Sequence, residues 1–323
     1  MTPAPGVVLA TRELPEPFET LKTDFDVRVL GFPPSEKELA ALVPGVDALI
    51  CLVDDPVTAE VIQAADRLKI VASYAVGVNQ IDRAAAAARN IWVTHTPNVL
   101  TDATADLTIG LLLALTRRIV EGDRMVRTGK FAGWAPDLLL GRDLKGKVFG
   151  VVGPGRIGRA VARRAKAFGM SVIATGRSPR IEGDPDDPPR VSFDELLRRS
   201  DVVSLHVPLT YETWRLMKSE TFAKMKPGSF LINTSRGPVV DEVALIRALD
   251  AGPIAGAALD VYENEPAITP ALLDDDRVVL TPHAGSATVE TRREMARMVV
   301  EDVRRVLAGE KPLRPAPPEK AAR

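Results

Sequence analysis

The sequence is poor in cysteine, in aromatic residues and in net charge. Its 323 residues include one cysteine, so no disulfide framework can form, which suits a reducing compartment. Cys51 stands in the apolar run ALICLV, which indicates a buried structural thiol rather than a reactive one. The 42 basic residues nearly balance the 43 acidic residues, which argues against a binder of nucleic acid or anionic membranes. Small anionic ligands held by a local cluster of cations remain compatible with this composition.

Long apolar runs are also lacking, since none approaches the ~20 residues that a membrane-spanning helix needs. The first residues, MTPAPGVVLATREL, show no basic flank followed by an apolar core of signal-peptide length. We therefore expect a cytoplasmic protein with no membrane partner, and no metal site is predicted. Histidine is scarce too, with three in the chain. His95 is compatible with a structural role, His206 is expected to end a strand near a cofactor, and His283 stands in a loop framed by proline and glycine.

Short β-branched apolar runs alternate with alanine-rich amphipathic segments from the start of the chain, a pattern typical of parallel strands joined by helices. The strands predicted in the first part of the chain are 7–11, 27–30, 48–52, 70–73 and 92–94. The helices predicted between them include 36–42, 58–65 and 81–89. Together these segments predict a compact α/β unit of about 100 residues.

The pattern changes at residue 101. Residues 101–118 predict one long helix, opened by a polar cap and apolar enough at 111–115 to be buried on several sides. An irregular stretch follows at 128–143, and a second series of strands and helices runs from 147 to about 280. A last helix, 288–307, is expected to return to the first domain. The predicted domains are 1–100 plus 286–323 and 101–285, with a frayed tail at 311–323.

The second domain opens with a strand that runs directly into Gly153-x-Gly155-x-x-Gly158 and then into a helix. In this order the glycines permit a tight turn, the approach of a pyrophosphate to the backbone and close packing of helix on strand. The pyrophosphate would lie at the helix N-terminus, where free N–H groups favour an anion. The alternative, an ordinary glycine-rich turn, does not explain the order of strand, motif and helix. The motif therefore predicts a dinucleotide site.

The end of the next strand predicts which dinucleotide is bound. An NAD-selective site places an acid there on the ribose hydroxyls, but this sequence has Gly176-Arg-Ser-Pro-Arg180. Arg177 can pair with a 2′-phosphate, Ser178 can donate to it, and Arg180 adds positive charge. The alternative is that both arginines are solvated surface residues. We predict NADPH as the cofactor, with NADH accepted more weakly.

Five short motifs follow one another along the chain at compatible spacings. They are VGVN at 76–79, TPNVLTD at 96–102, LINTSRGPVVD at 231–241, ALDVYENEP at 258–266 and TPHAGS at 281–286. Together they resemble the D-isomer specific 2-hydroxyacid dehydrogenase family over nearly the whole chain, although that family often has aspartate where Asn79 stands. WAPDLLLG at 134–141, GRS at 176–178 and HAGSAT at 283–288 look most like its glyoxylate/hydroxypyruvate reductase branch.

Reduction of a 2-keto acid needs a hydride donor, a proton donor for the carbonyl oxygen and a cation for the carboxylate. The residue chemistry agrees with what the resemblance implies: His283 is the general acid, Glu265 orients it, and Arg236 holds the substrate oxygens. Glu263 is the rival of Glu265, which is preferred because it precedes the proline and matches the family position. The alternative for Arg236 and Glu265 is a surface ion pair.

The resemblance also implies where the substrate binds. Backbone N–H groups of Val76 and Gly77 are expected to complete the carboxylate site, so that the active site lies in the cleft between two Rossmann-like/flavodoxin-like parallel-sheet domains. Leu52, Val76 and Trp134 are expected to set the pocket volume for a short 2-keto acid. Trp134 lies in a segment that often forms a dimer arm in this family, so we expect a homodimer; a plain interface aromatic is the alternative.

The remaining cofactor contacts are likewise implied by the resemblance. Asp260 would hold the nicotinamide carboxamide, and Val207, Pro208 and Thr213 would line the adenine pocket. Further contacts are expected at Thr104, Arg156, Ile157, Thr234, His283 and Gly285.

Other members of the same fold are competing interpretations. A formate dehydrogenase lacks the acid paired with histidine, and phosphoglycerate dehydrogenases commonly carry a regulatory domain for which no room is expected after residue 307. Another D-2-hydroxyacid dehydrogenase, of the D-lactate, D-glycerate or 2-ketogluconate type, stays open. So does a non-catalytic protein that senses dinucleotides, because some relatives of the fold act as corepressors. The set of Arg236, Glu265 and His283 favours an enzyme.

Overall fold

The computed structural model describes residues 6–181, 183–184 and 186–318. The chain divides into two compact units, Met1–Val99 with Ala287–Arg323, and Leu100–Ser286. Each unit contains one sheet whose paired strands are all parallel. These two sheets confirm the predicted pair of α/β domains.

The strands are β1 (Val7–Ala10), β2 (Asp26–Val29), β3 (Ala48–Cys51), β4 (Ile70–Ser73), β5 (Trp92–Thr94), β6 (Val148–Val152), β7 (Ser171–Thr175), β8 (Val202–Leu205), β9 (Ser229–Asn233), β10 (Ile254–Leu259) and β11 (Val278–Leu280). The α-helices are α1 (Glu36–Leu42), α2 (Ala59–Ala64), α3 (Arg83–Ala88), α4 (Thr101–Thr116), α5 (Ile119–Arg127), α6 (Arg156–Ala167), α7 (Phe193–Arg199), α8 (Ser219–Phe222), α9 (Glu242–Ala251), α10 (Pro270–Leu273) and α11 (Val289–Leu307). Short 3₁₀ helices span Phe18–Thr23 and Gly237–Val239.

The first unit has the strand order β2-β1-β3-β4-β5, which is the order of flavodoxin-like sheets. Its central strands β3 and β4 are buried at every position, as the continuous apolar runs predict. Helix α11 packs on β3, β4 and β5. Cys51 ends β3 with no exposed surface, and burial raises the pKa of its thiol, so it is the inert structural cysteine that its apolar surroundings predict.

The tail after α11 does not fray where the structure describes it. Pro315 forms a bridge with Thr94, and the N–H of Ala316 donates to the Val93 carbonyl at 2.7 Å. The prediction of a frayed tail was therefore wrong for residues 311–318, because backbone hydrogen bonds to β5 hold the segment. The rest of that prediction, 319–323, lies outside the described residues.

The second unit has the strand order β11-β10-β9-β8-β6-β7, and an isolated bridge between Ala174 and Arg190 follows at the β7 edge. The order reverses at β6, because β7 pairs on one side of it and β8 on the other. Open α/β sheets bind ligands beyond the carboxyl ends of the strands at such a reversal. The topology therefore points to the loops that follow β6, β7 and β8.

Helix α4 packs against α6 and β10 in the second unit, and Leu111, Leu112 and Leu115 are buried as predicted. The predicted helix over 101–118 begins at Thr101 as predicted, but it ends at Thr116 and lacks the predicted polar cap. The helix begins after Leu100, which has no side-chain cap, and Arg118 adopts left-handed backbone with φ of 55°. A separate helix, α5, starts at the next residue, and the Arg118 side chain pairs with Glu121 in its first turn at 2.6 Å.

Two further structural features bear on function. Within residues 6–181, 183–184 and 186–318, no helix has the length and apolar character needed to cross a membrane. In the same residues, no cluster of three or more His, Cys, Asp or Glu side chains is arranged to hold a metal ion.

The buried strand β3 gives a test of the first unit. Leu49 has no exposed surface, so Leu49→Ala is expected to lower the free energy of unfolding by about 2–5 kcal/mol through lost burial and a residual cavity. Leu42, on α1, is 40% exposed, and Leu42→Ala is the matched control, with an expected loss of about 1 kcal/mol or less. Urea unfolding followed by circular dichroism compares the two. Equal losses would contradict the packing of β3.

Candidate active site

Six loops of the second unit leave the carboxyl ends of parallel strands and therefore lie at one edge of the sheet. They begin with Gly153 after β6, Gly176 after β7, His206 after β8, Thr234 after β9, Asp260 after β10 and Thr281 after β11. The predicted cofactor and catalytic residues of this unit are concentrated in these loops.

His283 and Glu265 form a hydrogen-bonded pair at this edge. The Nδ1 atom of His283 lies 2.8 Å from Oε2 of Glu265. Because a carboxylate accepts and does not donate, Nδ1 carries the hydrogen and Nε2 is left for another partner. His283 has φ of 52°, uncommon for a residue other than glycine, and its N–H donates to the Asp260 carbonyl at 2.8 Å. The loop therefore holds the ring in one fixed orientation.

The surroundings of Glu265 keep it ionised. Burial acts to raise its pKa, but the hydrogen bond and charge of His283, the Tyr262 N–H at 2.9 Å and the charge of Arg236 together hold it below the usual value. Glu263 is engaged elsewhere, since its carboxylate accepts from Arg215 at 2.7 Å. Of the two glutamates that the sequence offered, Glu265 is the one bonded to His283.

Arg236 presents unpaired donors close to this pair. Its Nη1 donates to the Ser235 carbonyl at 2.7 Å, and no carboxylate of the described residues lies within 4.0 Å of its guanidinium. The side chain is half-buried; burial lowers the pKa of Arg236, and the charge of Glu265 opposes that effect. The next residue, Gly237, has to be glycine because a Cβ there would collide with the Tyr262 backbone. The loops after β9 and β10 therefore pack closely against each other. A guanidinium has five N–H donors, so this one can hold an anion.

Asp260 organises the loop that carries His283. Its Oδ1 accepts from the Thr281 hydroxyl at 2.6 Å and from the Ala284 N–H at 2.7 Å, while Oδ2 accepts from the Gly285 N–H at 2.9 Å. Burial raises the pKa of Asp260, and these hydrogen bonds oppose the rise. Two oxygens offer about four acceptor positions, so one position on Oδ2 remains.

The glycine loop suits a pyrophosphate. Gly153 has φ of 92°, and a Cβ there would lie 2.7 Å from the His206 carbonyl oxygen, so only glycine allows the turn. A Cβ at Gly155 would meet nothing within 4 Å, which leaves open space in front of the backbone. Arg156 and Ile157 begin α6, whose N-terminus has no side-chain cap. Its first N–H groups are therefore available to an anion, and these residues fit a dinucleotide.

The cationic segment after β7 lies beside this loop. A Cβ at Gly176 would come within 2.7 Å of Pro154, which fixes the start of the segment. Arg177, Ser178 and Arg180 are exposed. Arg177 has Glu212 at 3.8 Å, but both side chains are about two-thirds exposed, and such pairs contribute roughly 0–1 kcal/mol. A phosphate dianion can therefore compete for Arg177.

The other residues predicted to contact the cofactor lie on α4 and in the loops after β8, β9 and β11. Thr104 donates to the Gly285 carbonyl at 3.0 Å, and Thr234 lies 3.0 Å from the hydroxyl of Thr108. After β8, Val207 contacts the position of Gly153, and Thr213 donates to the Pro208 carbonyl at 2.6 Å. These contacts join the β8 loop to the glycine loop, and they join the β9 loop and the His283 loop to α4.

His206 cannot replace His283 as the proton donor. Burial lowers the pKa of His206 to about 3, so its ring is neutral. Its Nε2 lies 2.9 Å from the Ser204 hydroxyl, and its Nδ1 has no hydrogen-bond partner in the part of the chain that the structure describes. Over the same residues, His283 is the histidine that pairs with a carboxylate.

The residues predicted to contact the substrate in the first unit lie beyond the carboxyl ends of its strands. Leu52 follows β3, and Val76 and Gly77 follow β4. The Leu52 N–H donates to the buried carboxylate of Asp55. Sequence reasoning missed Asp55 because no motif marks it. Trp134 belongs to the second unit, in the stretch between α5 and β6, and is 84% exposed in the single chain.

The chain is similar to several known proteins. The pattern described as "D-isomer specific 2-hydroxyacid dehydrogenase, NAD binding domain" matches residues 109–285. The glyoxylate reductases of Thermofilum pendens and Thermococcus litoralis are 48% and 47% identical; each match covers 94% of this chain, and 92% and 95% of the relative. A Thermus thermophilus crystal structure has a TM-score of 0.90 at 47% identity, covering 96% of this chain and 100% of that chain.

A second solved structure carries a cofactor. It is the NADPH-dependent glyoxylate/hydroxypyruvate reductase of Sinorhizobium meliloti with NADP and malonate, 34% identical, with a TM-score of 0.87 over 99% of this chain and 100% of that chain. A dinucleotide-binding unit with a histidine–carboxylate pair at its edge defines an NAD(P)-dependent oxidoreductase. Among these enzymes, the chain belongs to the D-isomer specific 2-hydroxyacid dehydrogenase family, as its motifs predicted.

The lowered pKa of Glu265 predicts a pH-dependent contribution to stability. A carboxylate whose pKa is lower in the folded state stabilises the fold above the unperturbed value of about 4.3, and this contribution is lost as the pH falls through the folded-state pKa. The melting temperature of Glu265→Gln should therefore lie below that of the native protein at neutral pH, and the difference should shrink on acidification. The exposed Glu13→Gln is the control. A difference that is constant with pH would contradict this assignment.

Proposed function

We propose that the protein is an NADPH-dependent reductase of glyoxylate and hydroxypyruvate that forms the D-2-hydroxy acid. The observation that carries the proposal is the 2.8 Å hydrogen bond between His283 and Glu265 at the edge of the dinucleotide unit. The glyoxylate reductase relatives, at up to 48% identity, support the choice of substrate. When bound, the reduced nicotinamide supplies a hydride to C2 of the keto acid.

His283 is the general acid of this proposal. The Nδ1–H is fixed by Glu265, so Nε2 carries the proton that passes to the carbonyl oxygen as C2 gains a hydride. The ionised Glu265 stabilises the imidazolium before transfer, and after transfer the neutral ring keeps the same tautomer. The product is a 2-hydroxy acid, and the histidine regains its proton from solvent.

The carboxylate of the substrate needs a cation and directional donors. Arg236 provides free guanidinium donors close to the His283 pair, and its fork matches the carboxylate and carbonyl oxygens of a 2-keto acid. In the first unit, the N–H groups of Val76 and Gly77 complete the carboxylate site. Leu52 and Trp134 are the residues expected to limit the size of the substrate, in keeping with glyoxylate and hydroxypyruvate.

The cofactor is held by the loops of the second unit. The first N–H groups of α6, from Arg156 and Ile157, would bind the pyrophosphate, and Gly155 leaves space for it. The remaining acceptor position of Asp260 receives the nicotinamide carboxamide. Thr104, Thr234 and Gly285 would make further contacts with the cofactor, and Val207, Pro208 and Thr213 would line the adenine pocket.

The preference for NADPH rests on the segment after β7. Arg177 and Arg180 are exposed cations, and Ser178 adds a hydroxyl donor, where a site selective for NADH would have an acid. A 2′-phosphate would replace Glu212 at Arg177, since that exposed pair is weak. NADH binds without this contact and is the poorer cofactor.

A homodimer and a cytoplasmic location remain predictions within this proposal. The stretch between α5 and β6 exposes Phe131, Trp134 and Leu140, three large apolar side chains that a second copy of the chain would cover.

The first experiment measures loss of reduced nicotinamide absorbance with glyoxylate and NADPH. His283→Asn is expected to lower kcat by at least about 10³-fold, because the proton donor is lost, and to leave the Kd for NADPH nearly unchanged. His206→Asn is the matched control and should keep kcat within about tenfold, since His206 is neutral. Tight binding of NADPH without turnover of any 2-keto acid would sink the proposed reaction and favour a dinucleotide sensor.

The choice of cofactor has its own test. The double substitution of Arg177 and Arg180 by alanine should raise the KM for NADPH about 10- to 100-fold, because charge-assisted hydrogen bonds to the 2′-phosphate are lost, and should leave the KM for NADH nearly unchanged. Arg198→Ala, an exposed cation on α7, removes charge elsewhere on the second unit. If the double variant lost affinity equally for NADPH and NADH, Arg177 and Arg180 would be surface charges without a role in cofactor choice.

A further inference from the structure

His95 makes a contact that the proposed reaction does not use. It follows β5, half-buried, and its Nδ1 lies 3.0 Å from the carbonyl oxygen of Val76, which follows β4. Because a carbonyl oxygen only accepts, Nδ1 must carry the hydrogen and donate it. The ring is therefore attached to a single peptide group of the β4 loop, the one that joins Val76 to Gly77.

This contact fixes the direction of the next N–H group. The Val76–Gly77 peptide bond is trans, so its C=O and N–H lie in one rigid plane and point in opposite directions. Holding the Val76 oxygen toward His95 turns the Gly77 N–H away from it. Among the described residues, the N–H groups of Val76 and Gly77 donate to no other group, so both remain available for a ligand.

The neighbouring backbone is held without the His95 side chain. The Thr96 N–H donates to the Ala75 carbonyl at 2.9 Å, and the His95 N–H donates to the Arg314 carbonyl at 3.2 Å. Removal of the imidazole therefore leaves β5 and the first residues of the β4 loop attached. Without the imidazole, the Val76–Gly77 peptide plane is free to rotate.

We propose that His95 is a positioning residue that aims the Gly77 N–H at the carboxylate of the substrate. This inference rests on the proposed function, in which Val76 and Gly77 bind that carboxylate. Donation to the Val76 oxygen also polarises the peptide and strengthens its N–H as a donor, by roughly 10–30% in condensed-phase estimates. His95 acts through Gly77, so its removal weakens binding of the carboxylate and leaves proton transfer by His283 in place.

Two substitutions separate the hydrogen bond from the shape of the ring. In His95→Phe an aromatic ring remains but the donor is lost, whereas in His95→Asn the amide Nδ2 stands near the place of Nδ1 and can still donate. We expect His95→Phe to raise the KM for glyoxylate about tenfold, the usual effect of losing one charge-assisted hydrogen bond, with little change in kcat or in the KM for NADPH. His95→Asn should stay within about twofold of the native KM.

A titration with oxalate, a carboxylate that cannot be reduced, tests the same site without turnover. Its Kd for the complex with NADPH should rise in His95→Phe by the same factor as the KM for glyoxylate and stay near the native value in His95→Asn. An unchanged KM and Kd in His95→Phe would overturn the inference and leave the proposed function standing. Equal defects in both variants, or a parallel loss of NADPH affinity, would also overturn it, because they indicate a structural role. If the native protein fails to reduce glyoxylate yet binds oxalate in a His95-dependent way, the proposed function fails and the carboxylate site stands.

Discussion

The single direction of the strands in the second sheet is the constraint on which the site depends. Parallel strands deliver all of their carboxyl ends to one edge, so residues as distant in sequence as Gly153 and His283 emerge at the same edge of the sheet. Each loop contributes one kind of group: open backbone after β6, cations after β7, a guanidinium after β9 and a carboxylate after β10. No loop carries the chemistry alone. The sheet topology determines where the loops lie, and their side chains determine the chemistry of the site.

The charges at this edge are arranged so that each carboxylate has a defined task. Glu265 is held ionised against burial by His283, Arg236 and the Tyr262 N–H, and it determines which nitrogen of His283 carries the mobile proton. Asp260 accepts three hydrogen bonds from the loop of His283 and so determines the position of the imidazole ring. A site of this kind is preorganised, because the polar groups are already oriented before a substrate arrives.

Much of the fold could be predicted because its signals are local. Buried parallel strands appear as continuous apolar runs, and the glycine motif appears between a strand and a helix. The break between α4 and α5 was missed because a left-handed arginine has no residue-type signature, and the held tail was missed because its hydrogen bonds reach a strand some 220 residues earlier.

The site was predictable at the level of residue types and less so at the level of partners. Glu263 and Glu265 stand two residues apart, and the sequence alone favours one only by its proline; the structure separates them because Arg215 engages the first. The Nδ1 contact of His95 with the Val76 carbonyl could not be predicted, since a backbone acceptor leaves no mark in composition or spacing. Such contacts become visible only when the loops are folded.

The buried cysteine has a practical consequence. The chain has one thiol, on a central strand with no exposed surface, and burial disfavours its reactive thiolate form by raising its pKa. Thiol-alkylating reagents therefore find no accessible thiol on the folded protein. A cysteine introduced at an exposed position would be the only accessible thiol of the folded protein for a fluorophore or a spin label, and two such cysteines would give a labelled pair. Distance measurements on this protein therefore need no prior removal of Cys51.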